Sequence, residues 1–251
     1  MIQFLSFNFH YTDLLIIALV AMLTGMAKTG VHGAGMLAVP LLVFVFGGQA
    51  SSGVMLPILI LADVFGVWYY HRHAEWKYLK ILFPWAAIGV LIGTFTGNYI
   101  DDEMFRFIMA IVIAISIIIM LWLEKAKPKD ISASLGFTIA IGIAGGFTSM
   151  VGNLAGTVMA IYFLSMRLPK NSYVGTTAWF FAVVNFFKIP FHLFVWKTIK
   201  PDVLLLDLMS LPAILLGAYL GIVIVRNLSE KVYRTFIIVT TLLAAVVMLL
   251  R

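Results

Sequence analysis

The stretch LTGMAKTGVHGAG, residues 23–35, decides how this chain folds, because it places four glycines and a lysine inside a long apolar segment. That segment, residues 14–46, is too long for one straight membrane-spanning helix, which needs about 20 apolar residues, and too short for two. Glycine weakens a helix interior by about 1 kcal/mol relative to alanine. We therefore expect two short half-helices joined by unwound backbone. The alternative is that the glycines only let helices pack closely, as small residues often do in membranes.

A second stretch of the same kind, GGFTSMVGNLAG, residues 145–156, interrupts the apolar segment 131–166. The similarity continues beyond the two breaks at a constant offset, with Pro84, Gly89 and Gly93 matching Pro212, Gly217 and Gly221. We infer an internal duplication, with an N-terminal repeat over residues 1–125 and a C-terminal repeat over residues 126–251 of one integral membrane unit. The loop EKAKPKD, residues 124–130, joins the two repeats.

The composition predicts an all-α polytopic membrane protein. Hydrophobic residues make up 63% of the 251 residues and charged residues only 11%, whereas soluble domains have about 25% charged residues. We expect a multi-pass protein of a cell membrane, and specifically of the bacterial inner membrane. The net charge of +6 is spread over short connecting segments, which is typical of a topology signal and not of a nucleic-acid partner. Six apolar runs predict full spans, namely Ser51–Tyr70, Ile81–Ile100, Met104–Leu123, Asn171–Phe194, Val203–Val225 and Val232–Leu250.

The basic residues predict that the second repeat is inverted relative to the first. Short loops rich in lysine and arginine stay on the cytoplasmic side. If each interrupted segment enters and leaves on one side, the basic residues of four loops fall inside, although Lys197 and Lys200 fall outside. Each repeat is then a broken, re-entrant helical hairpin plus three transmembrane helices, and this odd number of crossings inverts the second repeat. The alternative is that the interrupted segments cross fully.

The two glycine-rich breaks are the first candidate for a binding site. In transporters with inverted repeats, discontinuous helices point freed backbone N–H groups and positive helix ends at the substrate near the bilayer midplane. Such helix ends favour anions. The candidate residues are Lys28, Thr29, Gly30, His32 and Gly33 from the first break, and Ser149, Gly152 and Asn153 from the second.

A few polar residues in other apolar segments complete the predicted site. A lysine in the bilayer centre costs at least about 2.5 kcal/mol, so Lys28 is predicted to attract an anion, unless it snorkels to the surface from a shallow hairpin tip. Lys188 and Asn185 lie together in the run 171–194, and Trp179 is deep enough in that run to face a cavity. Asp63 aligns near Asn185 and is predicted either to form a structural ion pair with a lysine or to carry a coupling proton.

On these features the chain resembles the TauE/SafE family of sulfite exporter-like membrane proteins over nearly its whole length. The resemblance rests on Gly25 through PLL at residues 40–42, on GGFTS at residues 145–149 followed by Gly152 and Gly156, and on LPK at residues 168–170 through GTT at residues 175–177. Family members usually carry consecutive glycines in the first break, where this chain has KTGVHGAG, residues 28–35. The resemblance implies movement of small sulfur-containing anions, such as sulfite or the organosulfonate sulfoacetate, without fixing which one.

The leading interpretation is a secondary transporter that holds such an anion between the two breaks and moves it by alternating access. An anion channel is the alternative. An intramembrane enzyme is less favoured, because the sequence has no HExxH motif, no cysteine and few intramembrane acids. We therefore expect no catalytic residues, no metal and no cofactor. The partners expected are a small anionic substrate and the lipid bilayer, while proton coupling through Asp63 or His32, the direction of transport and homo-oligomer formation are left open.

Overall fold

The structure is a computed structural model that describes residues 2–4, 7–105, 107–108, 111–112, 114–115, 134–233 and 235–239. It is almost entirely helical. The helices are α1 (Tyr11–Lys28), α2 (His32–Phe46), α3 (Gly48–Tyr70), α4 (Trp76–Tyr99), α5 (Leu135–Gly152), α6 (Ala155–Ser165), α7 (Lys170–Pro190), α8 (Pro201–Met209) and α9 (Leu211–Asn227). A 3₁₀ turn, His71–His73, follows α3, and a π-helical turn, Phe191–Val195, follows α7. Before α1, β1 (Ile2–Phe4) and β2 (Phe7–Phe9) form a small antiparallel hairpin that pairs Ile2 with Phe9.

Five of the described helices are long and apolar enough to cross a membrane, namely α1, α3, α4, α5 and α7. The pair α8 and α9, bent by 49° at the break between them, meets the same criterion when taken as one span, which gives five to six spans among the described residues. The predicted helical membrane architecture is therefore confirmed. Four of the six predicted spans correspond to α3, α4, α7 and the α8–α9 pair. The other two, residues 104–123 and 232–250, lie largely outside the described residues.

The interrupted segments break later and more briefly than the sequence predicted. Helices α1 and α5 each run for 18 residues, so the first helix of each segment is full length and not a short half-helix. Gly25 and Gly146 lie inside these helices, where a Cβ atom would collide with the backbone of Ile214 and of Ala86, respectively. These two glycines thus permit close helix packing. The breaks themselves are confined to residues 29–31 and 153–154.

Each interrupted segment enters and leaves on the same side of the molecule. Before α1, the rings of Phe7 and Phe9 pack on Phe46 at the end of α2, with ring centroids 5.7 and 5.9 Å apart. In the second segment, Phe137 near the start of α5 stacks on Tyr162 near the end of α6, at 6.0 Å. The pairs α1–α2 and α5–α6 are therefore helical hairpins, each closed by aromatic contacts at its open end.

The two halves of the chain pack on each other reciprocally, through α1 against α9 and α5 against α4. The corresponding contacts are Gly25–Ile214, Gly217–Met22 and Gly221–Met26 in the first pair, and Gly146–Ala86, Gly89–Ile143 and Gly93–Phe147 in the second. From Gly217–Met22 to Gly221–Met26, and from Gly89–Ile143 to Gly93–Phe147, the residue numbers rise together, so the two helices of each pair run in the same direction. Every position of one pair is matched by the equivalent position of the other at the offsets found in the sequence.

The directions of the remaining helices follow from their contacts. Helices α3 and α7 are antiparallel, because Asp63 meets Asn185 while Tyr70 meets Gly175 further along α3. Helices α3 and α4 are also antiparallel, since the Gln49 side-chain amide donates to the Gly97 carbonyl at 2.8 Å. The end of α1 lies beside the last third of α3, so these two are parallel. Consequently α1, α3 and α9 run one way, and α4, α5 and α7 run the other.

Candidate functional site

Lys28 and Asp63 form a buried ion pair where the first hairpin turns. Lys28 is the last residue of α1, and its Nζ lies 2.8 Å from Oδ1 of Asp63 in α3. The two residues are only 8% and 1% exposed. The Lys28 Nζ also lies 4.3 Å from the centroid of the Phe181 ring, which is a cation–π contact. The Lys28 side chain therefore turns into the protein and contacts both α3 and α7.

Glycine at position 66 allows this approach of α1 to α3. A Cβ atom on Gly66 would come within 2.6 Å of the Lys28 carbonyl oxygen. Such a contact is closer than a carbon and an oxygen can pack, so a larger residue would push the end of α1 away. The position of the Lys28–Asp63 pair thus depends on a small residue one turn after the acid.

Lys188 forms a second buried cationic centre where the other hairpin turns. It lies in α7, is 0% exposed, and donates to the Ser149 carbonyl at 2.9 Å, the Ser149 hydroxyl at 3.1 Å and Asn153 Oδ1 at 2.6 Å. These three bonds use all three donors of an ammonium group. Asn153 caps the end of α5 with φ of 55°, a left-handed conformation that asparagine adopts more readily than most residues. The cap thereby turns its side chain toward Lys188.

Asn185 joins the two centres. Its amide nitrogen donates to Asp63 Oδ2 at 2.6 Å, and it lies one turn before Lys188 on α7. Asp63 therefore contacts both halves of the chain, because one oxygen forms the ion pair with Lys28 and the other accepts from Asn185. Among the described residues, no carboxylate lies within ion-pair distance of Lys188. The cluster contains one more buried lysine than carboxylate, and a buried charge without a partner of opposite sign is costly in a membrane.

A cavity of about 50 Å³ adjoins this cluster. A single water needs about 10–15 Å³ of such space, so the cavity is large enough for an anion of a few heavy atoms. Its lining combines polar groups from both hairpins and α7 with apolar groups from α1, α3 and α7, and consists of Thr24, Ala27, Lys28, Gly35, Met55, Leu59, Ser149, Asn153, Ala155, Gly156, Phe181 and Asn185. The cavity is thus a mainly apolar space with convergent lysine, amide and hydroxyl groups.

The structure brings together six of the residues that the sequence selected. They are Lys28, Asp63, Ser149, Asn153, Asn185 and Lys188. The sequence pattern left open whether Asp63 pairs with a lysine or carries a proton, and in the structure it pairs with Lys28. Gly152 is the last residue of α5 and is buried directly before Asn153.

Other selected residues lie beside the cluster with different contacts. The Thr29 hydroxyl donates back to the Gly25 carbonyl at 3.0 Å, within its own helix, and the Gly30 carbonyl accepts from the Tyr233 hydroxyl at 3.0 Å. Both residues therefore stabilise the turn of the first hairpin. His32 and Gly33 occupy the first turn of α2, and the side chain of His32 lies outside the described part of the structure.

Trp179 faces a different space. It packs on Trp76, with ring centroids 5.1 Å apart, and lines an apolar groove of about 470 Å³ between α3 and α7. Asp63 also lines this groove, which includes the largely exposed side chains of Val64, Trp68 and Phe186. Trp179 is therefore separated from the cavity by the Asp63–Asn185 contact. Trp179 thus lines this groove and does not line the cavity that adjoins Lys28.

Two contributors escaped the sequence analysis. The Ser52 hydroxyl and carbonyl accept from the Asn153 amide at 3.3 and 3.4 Å, and Phe181 covers the Lys28 ammonium group. The adjacent serines Ser51 and Ser52 inside a spanning helix could have indicated a polar contact, because hydroxyls in a bilayer need hydrogen-bond partners. Phe181 gave no signal, since it is one of three consecutive apolar ring-bearing residues, Trp179 to Phe181.

A comparison with protein families identifies the group to which this site belongs. The model of the sulfite exporter TauE/SafE family matches residues 15–248. The chain belongs to the TauE/SafE family. No curated protein and no solved structure matched the chain. Family membership implies membrane transport of sulfur anions such as sulfite, and it agrees with the multi-pass architecture described above.

Proposed function

We propose that this TauE/SafE member is a secondary transporter that moves sulfite or a small organosulfonate, such as sulfoacetate, by alternating access. The anion binds in the cavity between the two hairpin turns. The observation that supports this most strongly is that Lys28 lines that cavity, while Lys188 of the other half donates to Ser149 and Asn153, which also line it. Among the described residues, one carboxylate, Asp63, accompanies these two buried lysines. An anion entering the cavity would balance the excess positive charge of the cluster.

The hydrogen-bond donors around the cavity suit a sulfonate or sulfite group. Such an anion carries three oxygens that accept hydrogen bonds, and charge-assisted hydrogen bonds are roughly twice as strong as neutral ones. Lys28 and the amide of Asn185 line the cavity as donors, together with the Ser149 hydroxyl. In the structure Lys28 is held by Asp63. Binding draws the ammonium group toward the anion, while Asn185 continues to donate to Asp63.

The repeat organisation supplies a means of alternating access. We propose that residues 1–125 and 126–251 are inverted repeats. The proposal is supported by the reciprocal glycine contacts and by the opposed directions of the matched helices α1 and α5, α3 and α7, and α4 and α9. In transporters of this plan, one repeat rocks against the other around a substrate at the midplane. The two hairpins would then open the same cavity to opposite sides in turn.

Ligand binding is the first test of the substrate class. Purified protein is heated with sulfite, sulfate, thiosulfate, sulfoacetate or acetate, because a ligand that binds only the native state raises the apparent melting temperature. We expect sulfite or sulfoacetate to raise the melting temperature of the natural chain and not that of Lys188→Met. The control is Lys77→Met, which removes a lysine that is 68% exposed and should leave the shift unchanged. A chain stabilised equally by acetate would contradict the assignment to sulfur anions.

Counterflow separates a transporter from the alternative, an anion channel. Proteoliposomes are loaded with unlabelled sulfite, diluted, and supplied with labelled sulfite outside. A carrier that exposes its site alternately accumulates label transiently above its equilibrium level, whereas a channel only equilibrates it. Counterflow that saturates with concentration is expected here, and its absence alongside rapid flux would favour the channel.

A further inference from the structure

Asp207 is a buried acid that the site described above does not use. It lies in α8, is 1% exposed, and belongs to the membrane-spanning pair α8–α9. Neither of its carboxyl oxygens has a hydrogen-bond partner among the described residues. Its neighbours Leu204, Leu205 and Leu208 are 44–55% exposed, so the apolar face of α8 points outward and the acid points inward.

Among the residues that the structure describes, none around Asp207 is placed to stabilise a carboxylate. Val203 and Leu206, on the same face of α8, belong to one apolar cluster with Val54 and Ile58 of α3 and with Ile214 of α9. The titratable side chains on α8 and on the two helices packed against it are Asp202, Asp63, Tyr69, Tyr70, Tyr219 and Arg226. In the described structure none of them bonds to the Asp207 carboxyl group. An ionised carboxylate in such a place is far more costly than a neutral carboxylic acid.

Asp207 lies one turn before a hinge. The helices α8 and α9 meet at Ser210 with a bend of 49°, and Pro212 follows, which has no backbone N–H to continue the helical hydrogen bonds. In the first half, Pro84 occupies the matching position, yet α4 runs unbroken over Trp76–Tyr99. The residue that matches Asp207 at the same offset is Leu79, which is 0% exposed. Of these two matched helices, only the one that bends carries the acid.

We propose that Asp207 is the proton-binding site that couples anion transport to proton movement, with the α8–α9 hinge controlling its access to water. The inference rests on the proposed function as a secondary transporter. While α8 packs on α3, Asp207 is a neutral acid in an apolar environment. When the hinge opens, water reaches the carboxyl group and the proton exchanges. The site therefore binds a proton from water and not a metal or an organic cation.

The proton balance is simple. On one side of the membrane, the Asp207 carboxylate takes a proton from water, an O–H bond forms, and the neutral acid re-enters the apolar contact with α3. On the other side that O–H bond breaks, the proton passes to water and the carboxylate is hydrated. A proton that moves with hydrogensulfite, the singly charged form of sulfite, carries no net charge, whereas a proton that moves with doubly charged sulfoacetate leaves one negative charge to be moved. In the closed state Asp207 is a neutral acid and the anion balances the excess lysine of the cluster, so the proton and the anion favour the same state, and we infer cotransport.

The test separates transport from coupling. Asp207→Asn keeps the shape of the side chain but cannot exchange a proton, and Asp202→Asn makes the same change in the first turn of the same helix as a control. In proteoliposomes, labelled sulfite exchange without a gradient measures transport, and sulfite uptake against a concentration gradient, driven by a pH gradient, measures coupling. We expect Asp207→Asn to retain exchange but to lose at least about tenfold in driven accumulation, equivalent to about 1.4 kcal/mol. Asp202→Asn should retain both activities.

A second variant and a second measurement cover the other outcomes. Asp207→Leu is the substitute if the amide of Asp207→Asn impairs folding, because it copies Leu79 of the first half and suits the apolar surroundings. It should likewise retain sulfite exchange and lose driven accumulation. Infrared difference spectra of purified protein at neutral pH require no substrate. They should show a protonated carboxylic acid band that is absent from both Asp207 variants. Undiminished driven uptake by Asp207→Asn, or an ionised Asp207 in the spectra, would overturn the proposal, whereas a natural chain without sulfite exchange would contradict the proposed function instead.

Discussion

The two halves of this protein share an arrangement of packed helices, the frame, but place their charged residues differently. In the first half the cation is on the hairpin, as Lys28, and the long helix supplies the acid Asp63. In the second half the hairpin supplies only neutral groups, and the cation, Lys188, comes from the long helix. The position of Asp63 is taken by the amide Asn185. Matching positions of the two halves thus carry complementary partners, and in the described cluster of Lys28, Asp63 and Lys188 this asymmetry leaves one buried cation in excess.

Among the features compared, the shared helix packing, and not the placement of charges, contributes most to the stability of the folded protein. Gly25→Val and Gly146→Val each place a side chain against the backbone of the opposite half. Overpacking of a core costs about 1–3 kcal/mol when neighbours can move, and a backbone carbonyl in a helix cannot move far, so we expect both variants to lose most of the folded protein. Yield and monodispersity on size-exclusion chromatography measure this loss. Gly136→Ala, with nothing within 4 Å of the new Cβ atom, is the matched control, and unequal losses from the two valine variants would argue against equivalent halves.

The substitution of either lysine should abolish transport, but we expect the two substitutions to differ in their cost in stability. Lys28→Met strands Asp63, and breaking a buried ion pair by removing one partner costs about 3–5 kcal/mol. Lys188→Met leaves only neutral groups of Ser149 and Asn153 without their donor, which costs about 1–3 kcal/mol. Thermal unfolding in detergent gives the order of the two variants.

A double variant tests the cause of that difference. Lys28→Met combined with Asp63→Asn removes both charges of the pair, so it should recover most of the stability lost in Lys28→Met while sulfite exchange remains absent. A Lys28→Met protein as stable as the natural chain would mean that Asp63 is not left unpaired. Equal losses in the two single lysine variants would remove the distinction between the halves.

The sequence predicted much of this frame because membrane helices obey simple rules. Long apolar runs located α3, α4 and α7 to within a few residues, except that α4 begins at Trp76, five residues before the predicted Ile81. The two hairpins were also located, since glycines and polar residues in a bilayer segment are costly unless they have a purpose. Lys28, Asp63 and Lys188 were selected for the same reason, as charged residues in apolar runs.

What the sequence could not supply was the role of each glycine and the partner of each polar group. Gly25 and Gly30 lie five residues apart, yet Gly25 packs on α9 inside a helix while Gly30 turns the chain at φ of 119°. The difference depends on which helix passes alongside, which is a tertiary fact. Thr29 likewise bonds within its own helix, an option open to any threonine and invisible in the sequence. The repeat boundaries at 1–125 and 126–251 stay a prediction.

The smallest expected effect comes from exchanging the acid and the amide between the halves. Asn185→Asp alone puts a second carboxylate beside Asp63, where the Asn185 amide now donates at 2.6 Å, and cancels the excess positive charge, so sulfite affinity should fall at least about tenfold, or about 1.4 kcal/mol. Asp63→Asn together with Asn185→Asp keeps both the net charge and the contact between the two side chains. Affinity in thermal-shift titrations should then return to within about 0.5 kcal/mol of the natural chain, a range typical of tolerated substitutions. A double variant as weak as Asn185→Asp would show instead that the acid must lie on α3 beside Lys28, and that the asymmetry of the halves is fixed by geometry as well as by charge.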